Sequence, residues 1–371
     1  MELRTPPGFR DLLAGELRKK KELASRVLHV FDSFGFEEIQ SPAIEYYQTY
    51  NQAFASLQDS KMLKLIDENQ DILTLRMDMT VPVARLAATS LKNARLPLRL
   101  SYSSDVFKAR KAYSGRTVQS MDCGVELIGT SDDAEILVCA LEALRASGLK
   151  NWRLELSDAR LLQEAAAMVF ENPEDRIRLA DLCSRKSMVE LGEFLDAFEL
   201  PASIRAYFLS LPLLDGGMEV LEEARALAFT DSLCAVLDHL EKTGAFLQEL
   251  GYGEEIGFDL GKLPHYNYYT GLIFEGYVPG ASGSVLSGGR YDNLMESFGR
   301  KEPAVGFALK VEPLAALLEA APVRENLVIR YPQTLAVAAF ELAKARRLEG
   351  SVRLERDDSL SELAMEREER P

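Results

Sequence analysis

The side chains of this sequence that could carry chemistry are few and mostly not the usual ones. The three histidines, His29, His239 and His265, are each isolated, so no histidine-centred base, triad or ligand cluster is outlined. Cys123, Cys139, Cys183 and Cys234 are widely spaced without a CxxC pair, which reads as buried free thiols in a reducing compartment rather than a zinc site or a disulfide frame. There is no GxxxxGK[ST] phosphate loop, GxGxxG turn, HExxH helix or GxSxG elbow, and no metal or cofactor site is expected. What remains is a set of acids (Asp78, Glu126), a tyrosine pair in Tyr268-Tyr269-Thr270-Gly271, and the glycine pair Gly288-Gly289. Taken singly, these read as strand-end acids, a strand running into a turn, and a bulge.

The elements that must position them can be read from periodicity. Leu23, Val27, Val30, Phe31 and Phe34 recur at helical spacing up to Gly35, which predicts an amphipathic helix over 17–34. Phe36 to Pro42 alternates like a strand and ends at a proline. Strands are also predicted at 71–76 and 98–104 with a helix over 81–91 between them, and as a further pair around 106–110 and 123–128. From about 157 to 250 the texture is helical, rich in Leu, Ala and Glu, with breaks at Pro173, Pro201 and Gly216-Gly217. Strand texture returns at 256–260, 271–278 and 305–311. The end of the chain reads as strand (327–331), helix (332–348), strand (around Val352) and a charge-dense tail expected to fray. Without regular βαβ alternation, an antiparallel α+β domain is favoured over a doubly wound one.

Composition narrows the class of function. With 47% hydrophobic and 27% charged residues the chain is globular in character, and its 371 residues call for more than one core. A net charge of -15 weighs against a nucleic-acid surface, which needs clustered cations to displace counterions. No apolar run approaches the ~18 residues of a membrane span, and Pro6, Pro7 and Asp11 stand where a signal peptide would need apolar residues. A cytoplasmic protein without membrane contact is expected.

Six segments, in order over about residues 5 to 320, resemble histidyl-tRNA synthetases of the class II fold. Gly8-Phe9-Arg10-Asp11-Leu12-Leu13 resembles that family's entry segment, and Gly35 to Glu45 resembles motif 1, whose helix and strand build a dimer interface. Leu75-Arg76-Met77-Asp78-Met79-Thr80 is similar to the family's LRPEGT segment, and Gly124-Val125-Glu126-Leu127-Ile128-Gly129 to its GVE segment. Tyr268-Tyr269-Thr270-Gly271 matches a YYTG core, and Ser287-Gly288-Gly289-Arg290-Tyr291-Asp292 the glycine-rich strand beneath the amino acid. The resemblance implies an α+β fold: a class II synthetase-like antiparallel sheet flanked by helices. It divides as a discontinuous core (1–155 and 256–320), a helical insertion (156–255) and a short C-terminal strand-helix-strand remnant with a charged tail (321–371). It also implies a histidine pocket of Asp78, Thr80, Arg116, Asp122, Glu126, Tyr268 and Tyr269.

The departures point away from catalysis. Adenylate formation needs arginines where phosphate charge develops, and losing one such group commonly costs ~10²–10³ in rate. Where the family reads Phe-Arg-x-Glu, this chain has Phe107-Lys108-Ala109-Arg110. Motif 3 ends at Glu312-Pro313 instead of Glu-Arg, with Lys310 in place of a glycine, and Pro264 stands where the signature has its arginine. The strand-helix-strand remnant after the core, in place of the family's full anticodon domain, implies that anticodon reading is lost. A pseudo-synthetase of this kind resembles the regulatory subunits of ATP phosphoribosyltransferase. That likeness implies a non-catalytic chain joined to a short-form catalytic subunit, a homodimeric core, histidine as feedback effector of the first step of histidine biosynthesis, and no tRNA partner. Two alternatives stay open: a synthetase-like ligase using Lys108, Arg110, Arg116 and Lys310 as substitutes, and an amino-acid or tRNA sensor with a different partner.

Overall fold

The computed structural model describes residues 3–53, 62–110, 117–262, 269–319 and 324–370. Two compact units emerge, 1–11 with 20–318, and 12–19 with 319–371. The larger is built on a nine-stranded sheet whose members are, in chain order, β1 (Glu37–Glu38), β5 (Leu98–Phe107), β6 (Gln119–Ile128), β7 (Arg153–Asp158), β8 (Asp215–Gly216), β9 (Ile256–Asp259), β10 (Leu272–Tyr277), β11 (Leu286–Arg290) and β12 (Ala304–Lys310). Their order across the sheet is β1-β5-β6-β12-β11-β10-β7-β9-β8. Every pairing is antiparallel except β1 with β5 and β7 with β9. A small separate sheet joins β2 (Ile44–Tyr46), β3 (Lys64–Ile66) and β4 (Ile72–Leu75).

Alternation along the strands divides the large sheet into a dry face and a polar one. Cys123, Val125 and Leu127 of β6 and Val305, Phe307 and Leu309 of β12 are buried in the main core. They meet α1 (Ala14–Ser33) through Leu23, Val27 and Phe31, and α4 (Ala134–Ala146) through Ile136, Ala140 and Leu144. The four-residue spacing of the α1 trio puts one stripe against the sheet. The helix stops at Gly35, whose φ of +75° only glycine adopts cheaply. There Phe36 N–H donates to Phe31 O and Gly35 N–H to Asp32 O, a Schellman closure. The intervening residues of β6 and β12, Asp122, Gly124, Glu126 and Gly306, Ala308, Lys310, face the opposite way.

The remaining helices of this unit are α2 (Tyr47–Ala53), α3 (Thr80–Ala88), α5 (Arg160–Val169), α6 (Pro173–Ser184), α7 (Met188–Asp196), α8 (Ala202–Ser210), α9 (Glu219–Leu227), α10 (Asp231–Glu249), α11 (Asp292–Ser297) and α12 (Val311–Leu317). Helices α5 to α10 answer to the helical stretch expected at 157–250, and their buried leucines and aromatics form one continuous core with the dry face. The sequence-based boundary at 155/156 falls inside β7. The smaller unit carries β13 (Arg324–Tyr331), α13 (Ala336–Arg346), β14 (Val352–Arg356) and β15 (Ala364–Arg370).

Three local expectations need correcting. The stretch from Phe36 to Pro42 pairs only at Glu37 and Glu38. Residues 98–104 and 106–110 are not two strands: β5 runs unbroken to Phe107 and pairs along its whole length with β6. The charged tail is not left unpaired but forms β15 against β13, held besides the ladder by ion pairs: Arg330 meets Glu355, its register partner on β14, and, out of direct register, Glu366 and Glu368 of β15, and Arg353 meets Glu368. Among the described residues no helix is long and apolar enough to cross a membrane.

Candidate functional site

The polar face of β6 and β12 forms the floor of a pocket whose upper wall is the turn from Met77 into α3. Glu126 lies behind this lining, 1% exposed, bonded to three of the residues that line it. Its Oε1 accepts from the Thr80 hydroxyl at 3.0 Å and from the Tyr102 hydroxyl at 3.5 Å, while Oε2 accepts from the Tyr291 hydroxyl at 2.5 Å. The ladder neighbour of Glu126 is Gly306, where a Cβ would lie 1.9 Å from Glu126 Oε2. Only a glycine therefore leaves space for that carboxylate. Gly124 does the same for Tyr102, whose hydroxyl would sit 2.4 Å from an added Cβ.

Asp78 is 7% exposed at the entry to α3. Its Oδ1 accepts from the Val81 N–H at 3.0 Å, satisfying one of the orphan donors of the helix start, and its backbone carbonyl accepts from the Tyr50 hydroxyl at 3.0 Å. Its Oδ2 is buried without a hydrogen-bond donor among the described residues. Asp122, 5% exposed on β6, likewise has Oδ1 unsatisfied. Beside them Lys108 and Lys310 line the pocket, and the Lys310 ammonium donates to Ser284 O at 2.7 Å and to Ser284 Oγ at 2.9 Å.

Burial dominates the electrostatics. It pushes the Glu126 carboxyl up to about 8 against the lowering effect of the Tyr291 and Thr80 hydrogen bonds. It pushes Asp78 up to about 6 against the Val81 N–H and Lys108, and raises Asp122 against the pull of Lys108 and Lys310. A buried acceptor without a donor costs roughly 1–3 kcal/mol. Two such acceptors beside a third buried carboxyl make a cavity that favours a ligand bringing N–H donors and positive charge.

Of the site residues expected from sequence, Asp78, Thr80, Asp122, Glu126 and Tyr269 come together here. The Tyr269 ring lies directly over Gly289, where a Cβ would be 2.7 Å from Cδ1. Arg116, Tyr268 and Pro264 lie outside the described residues. Sequence reasoning gave no role to Tyr102 and Tyr291, which hold Glu126. Tyr291 follows the glycine pair it had noted, and Tyr102 stands opposite Gly124 in the β5–β6 ladder. Of the substitutions read against catalysis, Lys108 follows β5 and Pro313 lies in the first turn of α12.

The family model for histidyl-tRNA synthetase matches residues 8–314. An ATP phosphoribosyltransferase regulatory subunit of Clostridium kluyveri is 33% identical over 357 residues, covering 94% of this chain and 91% of that protein. A protein of the same description from Moorella thermoacetica is 37% identical over 317 residues, covering 85% and 82%. Among solved structures, an ATP phosphoribosyltransferase regulatory subunit/histidyl-tRNA synthetase from Bacillus halodurans superposes with a TM-score of 0.88 at 30% identity over 97% of this chain and 94% of that one. A histidyl-tRNA synthetase from Nostoc, 21% identical with a TM-score of 0.78 over 96% and 86%, shares the fold.

Proposed function

We propose that this chain, which belongs to the histidyl-tRNA synthetase family and within it to the ATP phosphoribosyltransferase regulatory subunits, is a non-catalytic histidine sensor. It joins a short-form catalytic subunit and carries feedback inhibition to the step that opens histidine biosynthesis. The observation that carries the reading is the trio of buried carboxyls Asp78, Asp122 and Glu126, two of which keep an oxygen without a donor among the described residues. A histidine molecule brings an ammonium, the donor that Asp78 and Asp122 lack, and an imidazole N–H that Glu126 can accept beside or in place of one of its three hydroxyl donors. Adenylation is disfavoured by the cation set. Lys108 offers a point charge where a planar fork would be needed, and Pro313 offers none. The self-association expected of the core, through the segment from Gly35 to Glu45, belongs to the same proposal.

Feedback requires that histidine bind one state of the assembly better than another, typically by ~1–3 kcal/mol of coupling, or about 5- to 150-fold in affinity. Mixing the chain with a short-form catalytic subunit should give a co-eluting complex whose transferase activity exceeds that of the catalytic subunit alone and falls as histidine is added. No co-elution, together with an unchanged catalytic rate, would overturn the reading.

A further inference from the structure

A free amino acid in this pocket also brings a carboxylate, and the three described carboxyls assigned to it, Asp78, Asp122 and Glu126, cannot offer it a cation. An unpaired carboxylate buried there would cost several kcal/mol. We infer that Lys310 is the carboxylate-binding and specificity-determining residue of the pocket, with Ser284 as its positioning residue. The inference rests on the reading of the pocket as an amino-acid site.

Position supports it first. On the pocket side of the sheet, Gly306, Ala308 and Lys310 of β12 run alongside Glu126, Gly124 and Asp122 of β6, with Lys310 paired to Asp122 and Gly306 to Glu126. At about 3.4 Å per residue, the row of Glu126 and the row of Lys310 are ~13 Å apart. Histidine measures about 6 Å from imidazole N–H to carboxylate oxygen, and a hydrogen bond of about 2.8 Å at each end brings the span to ~12 Å. A histidine with its ring towards Glu126 and its length along these strands therefore extends towards the Lys310 row, with Asp78 and Asp122 beside it.

The second support is the way Lys310 is held. Two of its three ammonium protons go to Ser284 O and Ser284 Oγ, which fixes the side chain at the wall and leaves one donor for a ligand. Lys310 is also a strained cation: burial first, and Lys108 next, press its ammonium below the ordinary lysine value, with Asp122 and Glu275 pulling the other way. A carboxylate at this place relieves that strain and balances the charge that the ligand's ammonium adds. Lys108 also lines the pocket, just past the end of β5, where its backbone N–H donates to Val118 O at 2.9 Å.

The test compares L-histidine with histamine, which keeps the ring and the amine but lacks the carboxylate, by calorimetric titration of the full chain. Wild type should prefer histidine by about tenfold or more, the size expected of a charge-assisted hydrogen bond. Lys310→Met should abolish most of that preference by weakening histidine while leaving histamine unchanged, and Lys310→Arg should restore it. A histidine-to-histamine ratio unaffected by Lys310→Met overturns the assignment while the pocket reading stands. Binding of neither ligand to wild type overturns both. Should Lys310→Met fail to fold, Lys310→Gln, which keeps a polar tip without the charge, takes its place with the same two outcomes, and a wild-type ratio near one contradicts a carboxylate contact in any case.

Discussion

Replacing Glu126 by glutamine should stabilise the protein, and by an amount that grows with pH. In the folded chain burial holds this carboxyl near 8, against an ordinary 4.5. Its folded value is raised, so the folded state keeps a proton that the unfolded chain releases, and stability falls as pH rises from about 4.5 to about 8. One retained proton gives a slope of ~1.4 kcal/mol per pH unit, hence roughly 3 kcal/mol at pH 7 and at most about 5 above pH 8. Glutamine cannot ionise, keeps an acceptor for Thr80 and Tyr102, and presents an amide that the Tyr291 hydroxyl can accept from. Denaturant unfolding of both proteins at fixed concentration between pH 4.5 and 8.5 measures the difference. The two should converge near pH 4.5 and separate steadily towards 8, with the variant more stable. Parallel curves, or a variant less stable at pH 7.5, would refute the claim that Glu126 is buried as a protonated acid.

Three other outcomes are expected. The isolated chain should show no histidine-dependent ATP–pyrophosphate exchange above a no-protein control, because Lys108, Pro264 and Pro313 stand where adenylation needs arginines; measurable exchange would favour the ligase alternative. At tens of micromolar, light scattering should give at least a dimer mass, a C2 contact burying one patch against itself, and a monomer mass would count against it. Gly306→Ala should cost about 1–3 kcal/mol in thermal or chemical unfolding, since the new methyl meets Glu126 Oε2 at 1.9 Å and Val125 O at 2.5 Å. Unchanged stability would mean that this face is looser than the ladder indicates.

Much of the frame was legible because it rests on short-range rules. The spacing of Leu23, Val27 and Phe31 set the buried stripe of α1, and Gly35 marked its end. The strand texture at 123–128 marked β6 in the pocket floor, whereas the pair Gly288-Gly289 was marked as strand only by the family resemblance and lies in β11, next to β12. The unlegible parts depend on cross-strand partners. Nothing local in Tyr102 announces that it fills the space above Gly124, and nothing local in Glu366 and Glu368 announces that they meet Arg330 from another strand. The continuation of β5 through Val106 was obscured by the run of serines at 101, 103 and 104, weak strand formers that here pair along the full ladder. Lys310 stood out in the sequence as a departure, and its bonds to Ser284 came only from the fold.

The central claim, that the buried carboxyls of this pocket receive the histidine that inhibits the transferase, is tested most directly by titrating histidine against the reconstituted complex. The catalytic subunit is paired either with the wild-type chain or with Glu126→Ala, and assembly is followed by size-exclusion chromatography. The substitution leaves the hydroxyls of Thr80, Tyr102 and Tyr291 without their shared acceptor and removes the partner for the imidazole N–H. Co-elution should persist while the half-inhibiting histidine concentration rises by about tenfold, the loss of one buried hydrogen bond. Unchanged inhibition in a complex that still assembles would contradict the account and move the effector site elsewhere.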